Sequence, residues 1–178
     1  MLKAHALPDV PRLTLVLGHA ASGKSALAER EALAAAEGGR PTYLATARAL
    51  DDETRAKVAA HAARRGENWE TVEVPLALDA ACARARGVVL IDCATMWLAN
   101  AMLDGHDWEA MLRPWVAAMR TNDHARFWVV SNDVGGGVVP DNALARRFQR
   151  AQGLTNQRLA EAADRVALVT AGLAQWLK

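Results

Sequence analysis

The sequence predicts a single α/β domain whose mostly parallel β-sheet is covered by helices on both faces. Short apolar runs alternate with longer alanine-rich segments of helical period, and this alternation is typical of βαβ units. Several of the short runs are apolar almost throughout, as expected for strands covered on both faces. The chain has 178 residues, enough for one domain with a substantial core.

Each short apolar run predicts a strand, and six are expected, at residues 13–17, 42–46, 70–74, 88–92, 126–131 and 165–170. The segments around them predict helices at residues 25–37, 51–65, 76–86, 95–103, 108–120 and 156–164. The glycines and Pro140 of residues 133–142 predict a long loop after the fifth strand. Residues 1–12 lack the apolar centre of a signal peptide, so we expect a short loose leader before a domain over residues 13–178.

Composition narrows the class of function. The formal net charge is +1, which gives no reason to expect a nucleic-acid partner, since such proteins usually carry a basic patch or stripe. No apolar run is long enough to span a bilayer. Cys82 and Cys93 lack metal-ligand spacing and are expected to be free thiols in a reducing compartment. These features predict a cytoplasmic protein.

The stretch LGHAASGKSALAE follows the first predicted strand and contains the pattern G-x-x-x-x-G-K-[ST]. In such a loop, glycines let backbone N–H groups curl around a phosphate, and the following helix adds positive charge. Lys24 would reach the β- and γ-phosphates, and the Ser25 hydroxyl would bind Mg²⁺. The alternative is an ordinary strand–turn–helix connection that carries a lysine. The strand before the pattern and the helix after it favour a P-loop NTPase-like fold, with a phosphate loop formed by Gly18, His19, Ala20, Ala21, Ser22, Gly23, Lys24 and Ser25.

Asp92 ends the fourth predicted strand, after four apolar residues. Phosphate sites in doubly wound sheets gather at the carboxyl ends of the strands, so this carboxylate is well placed for a Mg²⁺ ion, directly or through water. The alternative is that Asp92 caps the helix that follows. We predict the metal role.

A second distinctive stretch is the predicted helix around His61. Lys57 lies four residues before this histidine, and Arg64 and Arg65 lie three and four residues after it, so all four share one helical face. Nearby cations favour the neutral, nucleophilic imidazole and would hold the phosphates of the group that it attacks. Such a histidine can form a covalent N–P intermediate. A solvated basic helix with an incidental histidine remains open on spacing alone.

The chain resembles the bifunctional adenosylcobinamide kinase/adenosylcobinamide-phosphate guanylyltransferase family of cobalamin biosynthesis. The resemblance lies in the motifs LGHAASGKSALAE, YLATARALDDETRAKVAAHAARRGENWETVE, LIDCATMWLAN, SNDVGGGVVPDNALARRFQ and NQRLAEAADRVALVTAGL, which cover nearly all residues from Leu13 onward. It implies that ATP or GTP phosphorylates the terminal hydroxyl of adenosylcobinamide. It also implies that GTP guanylylates an enzyme histidine, which passes GMP to adenosylcobinamide phosphate and yields adenosylcobinamide-GDP.

The resemblance also assigns site residues and an assembly. His61 corresponds to the guanylylated histidine, with Lys24 and Arg65 as its catalytic partners, and Ser25 and Asp92 would hold Mg²⁺. Beyond the phosphate loop, the nucleotide contacts that it implies are Thr46, Ala47, Ala62, Ala63, Arg64, Arg65, Glu73 and Asp92. The resemblance implies a homotrimer that acts on a corrinoid, and we expect no nucleic-acid partner and no membrane span.

Two other functions remain open on the sequence. One is a P-loop small-molecule kinase in which His61 is incidental. The other is a nucleotide-binding regulatory module with little turnover, in which the loop at residues 133–142 acts as a switch. Covalent labelling by GTP separates the first from the guanylyltransferase, and steady turnover of adenosylcobinamide with GTP would exclude the second.

Overall fold

The computed structural model describes residues 10–48 and 68–178. The predicted helix at residues 51–65 lies outside these ranges, and so does most of the predicted leader. Within the described residues the strands are β1 Leu13–Gly18, β2 Thr42–Ala45, β3 Glu70–Glu73, β4 Gly87–Asp92, β5 Ala125–Asn132, β6 Arg165–Thr170 and β7 Leu173–Trp176. The helices are α1 Lys24–Ala35, α2 Leu78–Arg84, α3 Ala94–Leu103, α4 Trp108–Thr121 and α5 Ala143–Ala162.

The described strands form one sheet in the order β3-β2-β4-β5-β1-β6-β7. All neighbouring pairs from β3 to β6 are parallel, and only β7 runs antiparallel, against β6. The carboxyl ends of the central strands β4, β5 and β1 therefore lie side by side at the same end of the sheet. The predicted fold class, a mostly parallel α/β sheet, is confirmed.

Helices pack on both faces of the sheet, and each face has its own apolar core. On one face, Leu27, Ala28 and Ala32 of α1 pack against β-strand residues such as Val16 and Val130. The opposite face is covered by α2, α3, α4 and α5, which contribute the larger core. Trp97 and Trp115 are buried in that core, with ring centroids 4.8 Å apart. Aromatic burial on this scale is a major source of stability in a domain of this size.

The structure corrects two predictions, the start of the last helix and the number of strands. Helix α5 begins at Ala143, thirteen residues before the predicted start at position 156, because the Asn142 side chain caps it by accepting from the Ala145 N–H at 2.7 Å. Strand β7 was not expected, since its four residues are all exposed and lack the apolar alternation that marks a strand. It forms because a turn with positive φ at Ala171 (52°) and Gly172 (80°) reverses the chain onto β6.

Residues 10–12, at the end of the predicted leader, contact the described body of the protein. The Arg12 guanidinium bonds to Asp123 at 2.5 Å and to the Arg120 carbonyl oxygen. The Arg126 side chain donates to the Val10 carbonyl oxygen at 3.0 Å. Within the described ranges, none of the helices has the length and apolar character needed to cross a membrane.

Candidate nucleotide-binding site

The phosphate loop connects β1 directly to α1, as the sequence predicts. Gly18 is the last residue of β1, and a side chain there would collide with the Ser22 hydroxyl and lie 2.7 Å from the Val169 carbonyl oxygen. Gly23 precedes α1 with a φ of 94°, a conformation that L side chains rarely adopt. The two glycines of the motif are thus needed, one for close packing and one for backbone conformation.

The loop presents unpaired backbone donors. Among the described residues, the N–H groups of Ala20, Ala21, Gly23 and Lys24 have no hydrogen-bond partner, whereas the Ser22 N–H donates to the His19 carbonyl oxygen at 3.3 Å. Four free N–H groups next to a helix N-terminus suit the oxygens of a phosphate. The Lys24 ammonium donates to the same His19 oxygen at 3.1 Å, so it lies over this loop.

The hairpin formed by β6 and β7 supports the loop from behind. The Gly172 N–H donates to the Ser22 carbonyl oxygen at 2.8 Å. A side chain on Gly23 would lie only 3.1 Å from the Gly172 Cα. The conformation of the phosphate loop is therefore set partly by residues about 150 positions away in the chain.

Asp92 lies at the carboxyl end of β4, on the same face of the sheet as α1. Strand residues alternate between the two faces, and Leu90, two positions earlier, packs in the α1 core. The Asp92 carboxylate accepts a hydrogen bond from the Tyr43 hydroxyl at 2.8 Å through Oδ2. The alternative role as a helix cap has no support, since Cys93 is the N-cap of α3 and no side chain bonds there.

A hydroxyl and a carboxylate are oxygen ligands of the kind that Mg²⁺ prefers. Ser25 lies in the first turn of α1 and Asp92 at the end of the neighbouring β4, and no hydrogen bond to a described residue engages the Ser25 hydroxyl or Asp92 Oδ1. The chemistry of these two residues fits a magnesium ion bound together with phosphate oxygens. Within the described part of the chain, no cluster of three or more His, Cys, Asp or Glu residues forms a metal cage of its own. Mg²⁺ commonly keeps several waters and uses one or two carboxylates plus substrate phosphates.

Thr46 follows β2 and is fully buried, so its side chain has a structural task. The Thr46 hydroxyl donates to the Cys93 carbonyl oxygen and accepts from the Cys93 N–H, both at 2.7 Å. The peptide bond between Asp92 and Cys93 is cis. The Asn100 side chain donates to the Thr46 carbonyl oxygen at 2.8 Å. These bonds fix the backbone that carries Asp92, whereas Ala47, the next residue, is partly exposed.

Cys93 lies beside this arrangement and is held in its neutral form. Burial raises the pKa of the Cys93 thiol to about 12, and the negative charge of Asp92 acts in the same direction. The neighbouring thiol therefore adds no negative charge to a site that must accept phosphates.

Glu73 ends β3 at the edge of the sheet, opposite Ala45 in the parallel register, and is exposed. It borders a cavity of about 530 Å³ whose other walls are mostly apolar, among them Leu44, Val72 and Pro75. Glu73 is thus separated from the phosphate loop by strands β2, β4 and β5. A nucleotide contact by Glu73 remains a prediction.

The residues predicted around the histidine, His61, Ala62, Ala63, Arg64 and Arg65, lie outside the described ranges. The structure places the phosphate loop and Asp92 at the carboxyl ends of β1 and β4, which lie on either side of β5. Two further residues that sequence reasoning did not select lie at this end of the sheet: Tyr43, which bonds Asp92, and Asn132, which ends β5 opposite Gly18. The polar triplet SND at the end of an apolar strand is the signal that could have identified Asn132.

The phosphate loop also contacts the glycine-rich loop at residues 133–142, which follows β5. His19 Nδ1 lies 2.7 Å from the Asp133 carbonyl oxygen, and the Asp133 N–H donates to the Gly18 carbonyl oxygen at 3.1 Å. A side chain on Gly136 would lie 3.6 Å from the His19 ring. The glycine-rich loop and the phosphate loop are therefore in direct contact.

Comparison with solved structures supports the fold. The crystal structure of flagellar accessory protein FlaH from Methanocaldococcus jannaschii superposes with a TM-score of 0.53, covering 100% of this chain and 86% of that chain. Its sequence is 13% identical to this one. At that level the likeness concerns the fold alone.

Comparison with known sequences identifies the family. The bifunctional adenosylcobalamin biosynthesis protein CobP of Pseudomonas aeruginosa is 42% identical over 174 residues, covering 92% of this chain and 96% of the relative. The proteins named CobU of Escherichia coli and Salmonella typhimurium are 35% and 36% identical, and each alignment covers 93% of this chain and 99% of the relative. Residues 14–177 match the model of a family described as cobinamide kinase / cobinamide phosphate guanyltransferase. The resemblance inferred from the motifs is thereby confirmed, and the chain belongs to the cobinamide kinase / cobinamide phosphate guanyltransferase family.

Proposed function

We propose that this enzyme carries out two consecutive reactions of cobalamin biosynthesis on one corrinoid substrate, and that it works in the cytoplasm. It first phosphorylates adenosylcobinamide and then transfers GMP to the phosphate so formed. The observation that carries the proposal is a phosphate loop in which four N–H groups have no partner among the described residues, with Asp92 at the same end of the sheet, in a chain of this family. Both reactions need a nucleoside triphosphate bound through its phosphates, and the same loop would bind it in both.

In the kinase step, the terminal hydroxyl oxygen of adenosylcobinamide attacks the γ-phosphorus of ATP or GTP. The bond between that phosphorus and the β–γ bridging oxygen breaks, and the hydroxyl proton leaves to solvent. The backbone N–H groups of residues 20, 21, 23 and 24 and the Lys24 ammonium would bind the β- and γ-phosphate oxygens. Ser25 and Asp92 would hold Mg²⁺, which supplies charge neutralisation at those oxygens.

In the guanylyl-transfer step, a ring nitrogen of His61 attacks the α-phosphorus of GTP. The bond from the α-phosphorus to the α–β bridging oxygen breaks and pyrophosphate leaves. A phosphate oxygen of adenosylcobinamide phosphate then attacks the same phosphorus, the N–P bond breaks, and adenosylcobinamide-GDP is released. Arg64 and Arg65 would offset the negative charge that develops beside the histidine.

Incubation with Mg²⁺ and GTP labelled at the α-phosphate tests the covalent step. Wild-type protein should acquire label that is acid-labile and base-stable, and intact mass spectrometry should show one added GMP. His61→Ala should acquire neither. His124→Ala is the matched control, since His124 precedes the amino end of β5, whereas the phosphate loop lies at the carboxyl ends of the parallel strands.

An unlabelled wild-type protein that still phosphorylates adenosylcobinamide would leave only the kinase. No turnover with either nucleotide would contradict both reactions. Parallel assays with ATP and GTP as phosphate donor determine the nucleotide preference of the first step. The proposal includes a homotrimer, for which sedimentation equilibrium should give three times the chain mass.

A further inference from the structure

Two side chains from different helices hold the main chain of Asn132 in place. The Asn132 N–H donates to Thr95 Oγ1 of α3 at 2.8 Å, and its carbonyl oxygen accepts from Asn156 Nδ2 of α5 at 3.0 Å. At the end of a strand, both backbone groups would otherwise lose their ladder partners. Both are instead bound by side chains.

A buried polar network fixes this arrangement further. Asn156 Oδ1 accepts from Ser131 Oγ at 2.6 Å and from Gln152 Nε2 at 2.9 Å, and Gln152 Nε2 also donates to Ser131 Oγ at 2.9 Å. Ser131 and Gln152 are fully buried. Burying so many polar groups is costly unless they are bonded to one another, and once bonded they make the local structure rigid. The position of Asn132 is therefore specified by at least four other side chains.

The Asn132 side chain itself has no partner among the described residues and is partly exposed. It lies on the α1 face, since Trp128 and Val130, at alternate positions before it in β5, belong to the α1 core. Its neighbour across the parallel pair is Gly18, the first residue of the phosphate loop, and adjacent strands lie about 4.8 Å apart. On the other side of β5, strand β4 ends in Asp92, on the same face.

We infer that the Asn132 carboxamide donates a hydrogen bond to an oxygen of the transferred γ-phosphoryl group. This inference rests on the proposed kinase activity. The residue lies between the phosphate loop, which would hold the β-phosphate, and Asp92, which would lie beyond the γ-phosphate near the metal ion. A neutral carboxamide supplies a donor without adding charge, and it neither gains nor loses a proton when the phosphoryl group moves. Asn132 would thus be a catalytic residue that binds the γ-phosphoryl group in both the ground state and the transition state.

The test is the affinity of the Asn132→Ala variant for two nucleotides, measured by calorimetry in the presence of Mg²⁺. A hydrogen bond to a charged group is lost only for the nucleotide that carries a γ-phosphate, so binding of a non-hydrolysable GTP analogue should weaken about tenfold or more. Binding of GDP should change less than about twofold, because the β-phosphate contacts remain. Asn132→Asp keeps the shape and introduces a negative charge, so it should weaken binding of the GTP analogue further.

Asn142→Ala is the matched control, since Asn142 caps α5 in the same region and its side chain is already bonded to Ala145. This variant should lose stability but keep the wild-type ratio of the two affinities. Equal losses for GTP analogue and GDP in Asn132→Ala, or no loss for either, would overturn the inference while leaving the proposed function standing. A wild-type protein that binds neither nucleotide would overturn both.

Discussion

The Tyr43 hydroxyl donates a hydrogen bond of 2.8 Å to Asp92, and this bond joins the buried middle of β2 to the carboxyl end of β4. Tyr43 is itself fixed by packing, since its ring meets the Trp69 ring edge to face with centroids 5.6 Å apart. The bond occupies Asp92 Oδ2 and so orients the carboxylate. A residue that orients a ligand of a metal ion affects the metal indirectly.

Tyr43→Phe should therefore weaken Mg²⁺ binding without unfolding the protein. The ring packing is kept and only the hydroxyl is lost, so the Mg²⁺ concentration for half-maximal kinase activity should rise about 10- to 100-fold, as is typical for loss of an outer-shell partner. Titration of initial rates with Mg²⁺ measures this. An unchanged Mg²⁺ dependence would show that the hydrogen bond from Tyr43 does not affect metal binding.

Lys24→Gln should reduce triphosphate affinity strongly. The ammonium donates charge-assisted bonds that an amide cannot replace, and their loss costs about 1.5–3 kcal/mol, or roughly 10- to 150-fold in dissociation constant. Calorimetric titration with a GTP analogue gives this value. Lys178→Gln serves as the control, since Lys178 bonds carbonyl oxygens of α5 away from the loop. Wild-type affinity in Lys24→Gln would contradict the assignment of the phosphate loop.

Gly23→Ala and Gly38→Ala separate backbone strain from steric contact. Both glycines have a positive φ, 94° and 84°, so each alanine pays a similar conformational cost of about 1–2 kcal/mol. A side chain at Gly38 meets no atom within 4 Å, whereas one at Gly23 approaches the Gly172 Cα to 3.1 Å. Urea unfolding should show a larger loss for Gly23→Ala, and only this variant should bind nucleotide poorly. Equal losses would mean that the β6–β7 hairpin adjusts freely.

The two thiols should lose their protons only at high pH, and this should lower the stability of the protein there. Burial raises the pKa of Cys82 and of Cys93 to about 12. Because the folded state holds these protons more tightly than the unfolded state, their contribution to stability is complete below the unfolded pKa of about 8.5 and is lost as pH rises towards the folded value. The free energy of unfolding should therefore fall with pH above that point, and less steeply in Cys93→Ala than in wild type. Identical slopes would contradict the burial of that thiol.

Local features of the site could be predicted from the sequence because their signals are local. The spacing of Gly18, Gly23 and Lys24 encodes the backbone path of the loop, and the apolar run before Asp92 marks a covered strand that ends in a carboxylate. The bond between Tyr43 and Asp92 joins residues 49 positions apart and depends on β2 lying next to β4. Nothing in either segment specifies that neighbour, so the sequence alone could not predict the contact.

The same reason explains why Asn132 was not selected. Its side chain, which bonds none of the residues that the structure describes, is informative only because Thr95 and Asn156, on two different helices, bind its backbone. The early start of α5 is a different case, since Asn142 is a good N-cap residue, but Gly153 within the helix and a glycine-rich loop before it obscured the helical pattern.

The hydrogen bond from Gly172 to Ser22 couples the turn at residues 171–172 to the conformation of the phosphate loop. The Ser22 carbonyl oxygen and the Gly23 N–H belong to the same peptide group. A phosphate that binds this N–H would therefore act on the hydrogen bond between Gly172 and Ser22. An environment-sensitive fluorophore placed on the exposed Leu173, just beyond the turn, would therefore sense nucleotide occupancy from the rear of the loop, without touching any group that handles phosphate.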